Sequence, residues 1–264
     1  MTTPRSRKVK RFGWIPDLPD HRDLSWSAPP GSVAALPRVV DLRPGFAPPY
    51  DQGDLGSCTA NAVAAAFQFA RRKEGLSDFT PSRLFVYFNE RLIERTVSED
   101  SGAMLRDGLR CVVQQGVCPE QSRPPRDCDW PYDPARFATR PPERCYTFAL
   151  DFQVLRYKRV ARTLPQLKAC LAAGYPFVFG FAVYEGFETA EVARTGIANL
   201  PGPKERSVGG HAVVAAGYDD ATGRFLVRNS WGERWGQGGY FTLPYGYLES
   251  DGLSADFWTI RQTE

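Results

Sequence analysis

Histidine is almost missing from this chain: His21 and His211 are the only two among 264 residues. The six cysteines, Cys58, Cys111, Cys118, Cys128, Cys145 and Cys170, include no C-x-x-C pair. With so few imidazoles a zinc site would need four thiolates at irregular spacings, so neither a metal nor a cofactor is expected. A long apolar run is missing too. The best, "CLAAGYPFVFGFAVY", is short and broken by Gly174, Pro176 and Gly180, which excludes a membrane-spanning helix. Nor does one sign of charge dominate: 33 Lys and Arg against 30 Asp and Glu leave +3, too little to argue for a nucleic-acid partner. Much of that excess sits in "PRSRKVKR", where Arg5, Arg7, Lys8, Lys10 and Arg11 read as a solvated tail. "FGWIPDLPDHRD" follows instead of an apolar segment, so no Sec signal is read and a cytoplasmic or non-classically exported protein is expected.

What is present describes a globular protein long enough to bury a core. Residues 1–36, rich in Pro, Arg and Asp, read as an extended arm, and a folded body is expected over 37–264. Ala62, Val63, Ala66, Phe67 and Ala70 recur at helical spacing over 58–72, with small alanines that suit a central, buried helix. "TPSRLFVYFNERLIE" predicts a second helix, capped by Thr80 with Pro81 at its first position. "GAMLRDGLRCVVQQG" predicts a third, stopped by Gly116. After one more helix, "LPQLKACLAAG", come the strand-like runs "PFVFGFAVY", "HAVVAAGY", "RFLVRNS" and "GGYFTL". This is an α+β pattern, with a helical lobe over about 50–145, a β-rich lobe over about 146–264, and a cleft between them.

The chemistry begins at "DQGDLGSCTANAVAAAF", where Cys58 stands at the seam between a glycine-punctuated loop and an alanine-rich helix. A helix N-terminus favours a thiolate, the nucleophilic form of cysteine, although a helix can also simply begin at one. A reactive thiol needs an imidazole partner. His21 lies among prolines and charges in the arm, so His211, opening "GGHAVVAAGYDD", is the base by elimination. A hairpin centred on residue 220 sets Asn229 opposite His211 on the same face, in reach to hold one ring nitrogen. In "NSWGERWGQGGYF" Trp231 is suited to shield that bond, or to serve as plain core. Gln52, six residues before Cys58, is a candidate second donor, beside the backbone N–H of Cys58, for an oxyanion. A free Cys58 leaves five thiols, so one or two bridges among Cys111, Cys118, Cys128 and Cys145 stay open, with reducing conditions favoured.

Taken together, "PRVVDLR", "DQGDLGSCTANA", "GGHAVVAAGYD" and "RNSWGERWGQGGYF" resemble, in order and spacing over roughly 37–260, the papain-like cysteine peptidases. Phrases such as "GVCPE" and "TLPQLKACLAAGYPF" make bacterial members the most similar. The resemblance implies a two-lobed fold whose second lobe is an antiparallel β-barrel-like unit. It implies peptide hydrolysis through a Cys58–His211 thiolate–imidazolium pair and an acyl-thioester, with Cys58 as nucleophile, His211 as acid and base, Asn229 orienting His211, and Gln52 in the oxyanion hole. It further implies a peptide or protein substrate bound by Ser101 and Gly102, with Gly210, Trp231 and Trp235 at the site. Leu55 replaces a disulfide cysteine, Thr59 an aromatic, and Gly210 an Asn or Asp common in relatives. A catalytically silent binding protein, an acyl transferase and an exopeptidase remain as alternatives. The arm, with aromatic anchors Phe12, Trp14 and Trp26, is expected either to lie across the cleft and inhibit, or to pack behind the body.

Overall fold

The architecture comes from a computed structural model, which describes residues 12–29 and 31–263. The basic run Arg5–Arg11 lies outside the described residues. The helices are α1 (Cys58–Lys73), α2 (Arg83–Glu94), α3 (Leu105–Gln115), α4 (Glu143–Ala149), α5 (Leu164–Ala172), α6 (Ala190–Thr195) and α7 (Tyr245–Glu249). The strands are β1 (Trp14–Ile15), β2 (Ser25–Trp26), β3 (Val39–Asp41), β4 (Ala103–Met104), β5 (Val154–Val160), β6 (Phe177–Tyr184), β7 (Ser207–Asp219), β8 (Arg224–Arg228), β9 (Tyr240–Pro244) and β10 (Ser254–Thr263).

Helix α1 is the spine. It is buried without a break from Cys58 to Arg71, because alanines at 60, 62 and 64–66 let other elements close on every side. Helices α2 and α3 pack on it from one side, and β7 and β10 from the other. One core joins α1, α2 and α3 to Val154, Val178, Val214 and Trp258 of the sheet. A second fills the space between the sheet and the short helices, with Phe177, Phe179, Phe181, Phe225 and Phe257 at its centre.

Two predicted helix starts move. Ser82, not Thr80, caps α2 by accepting from the Phe85 amide at 3.1 Å, while Pro81 is drawn into a bridge with Pro119. Residues 103–104 pair with the arm as β4, so α3 begins only at Leu105. The β-rich lobe is not a closed barrel. Its strands run in the order β2-β5-β10-β6-β7-β8-β9, with β3 on β7, and the edges β2 and β9 stay apart. Strands β5 (VLRYKRV) and β10 (SADFWTIRQT) mix apolar with charged and polar side chains, so neither offers the uninterrupted apolar run that marked the other strands.

The β7–β8 hairpin differs instructively from its expected register. Val214 pairs with Arg228 and Ala215 with Val227, but Gly217 pairs with Leu226, so Ala216 is bulged. The pairing lies two residues from the predicted register. A two-residue shift preserves the face, whereas one residue would have reversed it.

Candidate active site

The loop before Cys58 is held from below by a polar network. Arg83 pairs with Glu120 at 2.7 Å and donates to the Asp51 carbonyl at 2.9 Å and to Asn61 Oδ1 at 3.1 Å. Asn61 Nδ2 donates back to the Ser57 carbonyl at 2.9 Å and to Ser57 Oγ at 3.1 Å. Tyr132 joins Ser57 Oγ at 2.6 Å to the Gln52 carbonyl at 2.8 Å. From above, the Asp100 carboxylate accepts from the Gly56 amide at 3.0 Å and from Tyr87 Oη, whose oxygen accepts from the Gly102 amide at 3.2 Å. The loop before Cys58 is thus clamped on both sides, and Cys58 opens α1 with no exposed surface.

Two departures from the family pattern have local compensation. Thr59 Oγ1 donates to Glu90 Oε1 at 2.6 Å, a buried polar contact where relatives carry an aromatic ring. Leu55 is buried in the first core, so packing stands where a bridge would be.

Strand β7 carries His211 to the same place. Its neighbour Ala212 directs its backbone amide onto the Cys58 sulfur, which brings residues 58 and 211–212 together where α1 meets the sheet. His211 Nε2 lies 2.8 Å from Asn229 Oδ1. The turn lies later than predicted, which alone would offset the pair by three residues, and the bulge at Ala216 takes one back, so the contact is diagonal but on the face that the sequence had indicated. Asn229 Oδ1 also accepts from the Ser230 amide at 2.8 Å, which fixes the amide's orientation. The Trp231 ring covers the imidazole at 5.1 Å between centroids, and Phe181 meets it edge-on at 5.8 Å. Trp231 and Trp235, only 3% and 5% exposed, stand behind the imidazole and not at the surface.

Gln52 bridges the two sides. Its Nε2 donates to the Leu55 carbonyl at 2.9 Å and its Oε1 accepts from Ser230 Oγ at 2.6 Å. Ser101 turns into its own loop, donating to Thr96 Oγ1 at 2.9 Å.

The arm runs directly over this centre. The Gly13 amide is hydrogen-bonded to the Cys58 sulfur, and the Gly13 carbonyl accepts from the Ala103 amide at 2.8 Å. Phe12 meets the His211 ring edge-on at 6.2 Å. The Trp14 ring lies flush on Gly210 and Gly180, where a Cβ would come within 2.6 and 1.9 Å of it. Gly102, in the left-handed region at φ 75°, approaches the Gly13 backbone so closely that a Cβ would sit 2.2 Å from its oxygen. Trp14 Nε1 and the Asp17 amide both donate to Asp256 Oδ2, at 3.1 and 2.8 Å. Asp17 in turn accepts from Trp258 Nε1 at 2.8 Å, the Arg106 amide at 3.1 Å and Arg159 at 3.2 Å.

Burial under this arm has an electrostatic cost. It pushes the Cys58 thiol up to about 12, although the amides of Ala212 and Gly13 favour the anion. Burial also holds the Glu90 carboxyl well above its usual range. It raises Asp17 to about 6, with the nearby Asp256 charge acting in the same sense.

A thiol, an imidazole and a carboxamide thus converge here from three distant segments. The description "Papain family cysteine protease" matches residues 36–255. The chain belongs to the papain family of cysteine proteases. Xylellain, a cysteine protease from Xylella fastidiosa, shares 45% identity and superposes with a TM-score of 0.87, over 97% of each chain. An uncharacterized peptidase C1-like protein of Acanthamoeba polyphaga mimivirus is 38% identical over 96% of this chain and 87% of its own. The fold extends to procathepsin B S9 of Trypanosoma congolense, with 17% identity, a TM-score of 0.67, and 91% and 84% of the two chains covered. This protein is therefore a peptidase with the two-lobed papain fold.

Several supporting residues escaped the sequence reading. Ser230 was signalled only by standing next to Asn229. Arg83, Tyr132, Asp100 and Asp256 reach the site by tertiary packing, and no local pattern distinguishes them from ordinary polar residues.

Proposed function

We propose that this protease cleaves peptide bonds with Cys58 as nucleophile, His211 as acid and base, Asn229 as the group orienting His211, and Gln52 as an oxyanion donor. The observation that carries the reading is the pair of contacts on adjacent residues: His211 Nε2 to Asn229 Oδ1 at 2.8 Å, and the Ala212 amide on the Cys58 sulfur. The thiolate attacks the scissile carbonyl, and charge collects on its oxygen beside the Cys58 amide and Gln52 Nε2. His211 then protonates the leaving amine and activates water against the thioester. Every group needed is present, which weighs against a silent binding protein.

On this reading residues 1–36 are an inhibitory arm and 37–264 the peptidase body. The arm would act twice. It occupies the space along Gly102 and Gly210 that an extended peptide needs, and it disarms the nucleophile. The resting thiolate–imidazolium pair inferred from the sequence belongs to the uncovered state, because burial keeps the covered sulfur protonated. The processed or displaced enzyme would regain a hydrated, ionisable thiol.

Replacing Cys58 by Ala should abolish hydrolysis while leaving the thermal transition within about 1 kcal/mol of the parent. Residual turnover above background removes the nucleophile assignment. Deleting residues 1–30 should raise kcat/KM on a small fluorogenic peptide by at least about tenfold, as the covered fraction disappears. An unchanged rate in a folded truncation removes the inhibitory role and leaves the catalytic one standing. Product analysis on a long peptide separates internal cleavage from trimming or acyl transfer.

A further inference from the structure

Outside the active site the chain brings together another pair of reactive groups. Cys118 and Cys145 are both free and buried, and their side chains are hydrogen-bonded to each other. Cys128 lies near both and is 8% exposed, while Cys111 turns away to the Gly108 carbonyl at 3.1 Å. Of the pairings the sequence left open, the fold therefore singles out one. The two thiols are also unequal. The Cys118 contact and the nearby Arg144 and Arg136 draw the Cys145 thiol below its usual range, whereas burial pushes Cys118 up.

We propose that Cys118 and Cys145 form a redox-active dithiol, closed by hydrogen peroxide, that braces the helical lobe beneath the nucleophile loop. The thiolate of Cys145 takes one oxygen from the peroxide, giving a sulfenic acid and one water after protonation. The Cys118 sulfur then displaces the hydroxyl, its proton leaving with it as a second water. Two thiols are oxidised to one disulfide and one peroxide is reduced to two waters. A peroxide is small enough for a buried pair that a bulky disulfide reagent would not reach.

The pair is placed to matter. The Cys118 carbonyl accepts from the Ser82 amide at 2.8 Å, and Ser82 Oγ both caps α2 and donates to the Trp130 carbonyl at 2.7 Å. The next residue of α2 is Arg83, which holds the Asp51 carbonyl and Asn61 under the loop. Between Cys118 and the start of α4 at Glu143, the described chain has only a short 3-10 turn at Pro134–Arg136, so a cross-link closes a long, mostly irregular segment. Closing such a loop removes freedom mainly from the unfolded chain.

The test uses full-length Cys58→Ser protein, so that oxidation of the nucleophile cannot contribute and no activity is needed. Dilute hydrogen peroxide should remove two of the five remaining thiols. Mass spectrometry should find the peptides of Cys118 and Cys145 joined, separable by dithiothreitol. The oxidised form should melt about 5–10 °C higher. Cys145→Ser should abolish the cross-link and Cys128→Ser should preserve it. A bridge through Cys128 instead, or five titratable thiols after treatment, overturns the proposal. So does peroxide consumption that ends in sulfinic acid without a cross-link.

Discussion

The two walls of the cleft are built on different principles. On the thiol wall, Arg83, Asn61, Ser57, Tyr132 and Asp100 hold a loop by a chain of hydrogen bonds in which one charge pair is nearly buried. On the imidazole wall, the hydrogen bond between His211 and Asn229 Oδ1 lies among aromatic rings, Phe181 and Trp231 on the imidazole and Trp235 behind Trp231. A loop has no ladder of its own, so its conformation must be specified by many directed contacts. A strand is already straight and paired, so its side chain relies less on directed contacts and more on the dry walls around it. Each wall should therefore fail in its own way.

The largest effect is expected on the thiol wall, in stability. Arg83→Met leaves Glu120 buried without its partner and the loop without its anchor, at a cost of about 3 kcal/mol. The thermal midpoint should fall by about 6–10 °C, with kcat of the surviving folded enzyme changed less than its lifetime. An unaltered midpoint would mean the network is ornamental to the fold. Next comes the imidazole wall, in rate. Asn229→Ala deletes one buried, oriented hydrogen bond and should lower kcat about 10–100-fold with KM nearly constant. A loss confined to stability would make the two walls alike and break the comparison.

The smallest effect concerns what lies between them. Asp17 of the arm is docked with its carboxyl raised from 3.8 to about 6, by burial and by Asp256, while the Arg106 amide, Trp258 and the Arg106 charge pull the other way. Arg159 also touches it at 3.2 Å. A group whose docked pKa is raised favours docking below its free value and loses that contribution as pH rises through the docked one. Between pH 5 and pH 8 the rate of full-length protein, relative to arm-deleted protein at each pH, should climb about tenfold. Asp17→Asn should flatten that ratio. A ratio that instead falls with pH would reverse the sign argued from the geometry.

Legibility followed the range of the interactions. Helix α1 and the end of α3 at Gly116 were readable because periodicity and a left-handed terminator are local. Cys58, His211, Asn229 and Gln52 stood out as candidates because each motif carries its own punctuation. The start of α2 was not, since it depends on Pro81 meeting Pro119, a contact that no local window contains. The hairpin shows the same boundary at finer scale: His211 and Asn229 do meet on one face, yet the later turn and the bulge at Ala216 that together set their offset left no mark in the pattern. The path of the arm lay between these cases. Its aromatic anchors stood out, but Gly180 and Gly210 become a berth for Trp14 only when β6 and β7 lie side by side.

Because cleft and arm belong to one covalent chain, their encounter is first-order. Diluting the protease leaves the covered fraction untouched. A free peptide competing for the same berth must match a tethered rival whose local concentration is on the order of millimolar. Severing the connection between Trp26 and residue 37 turns that fixed neighbour into an ordinary solute, and escape becomes permanent on dilution.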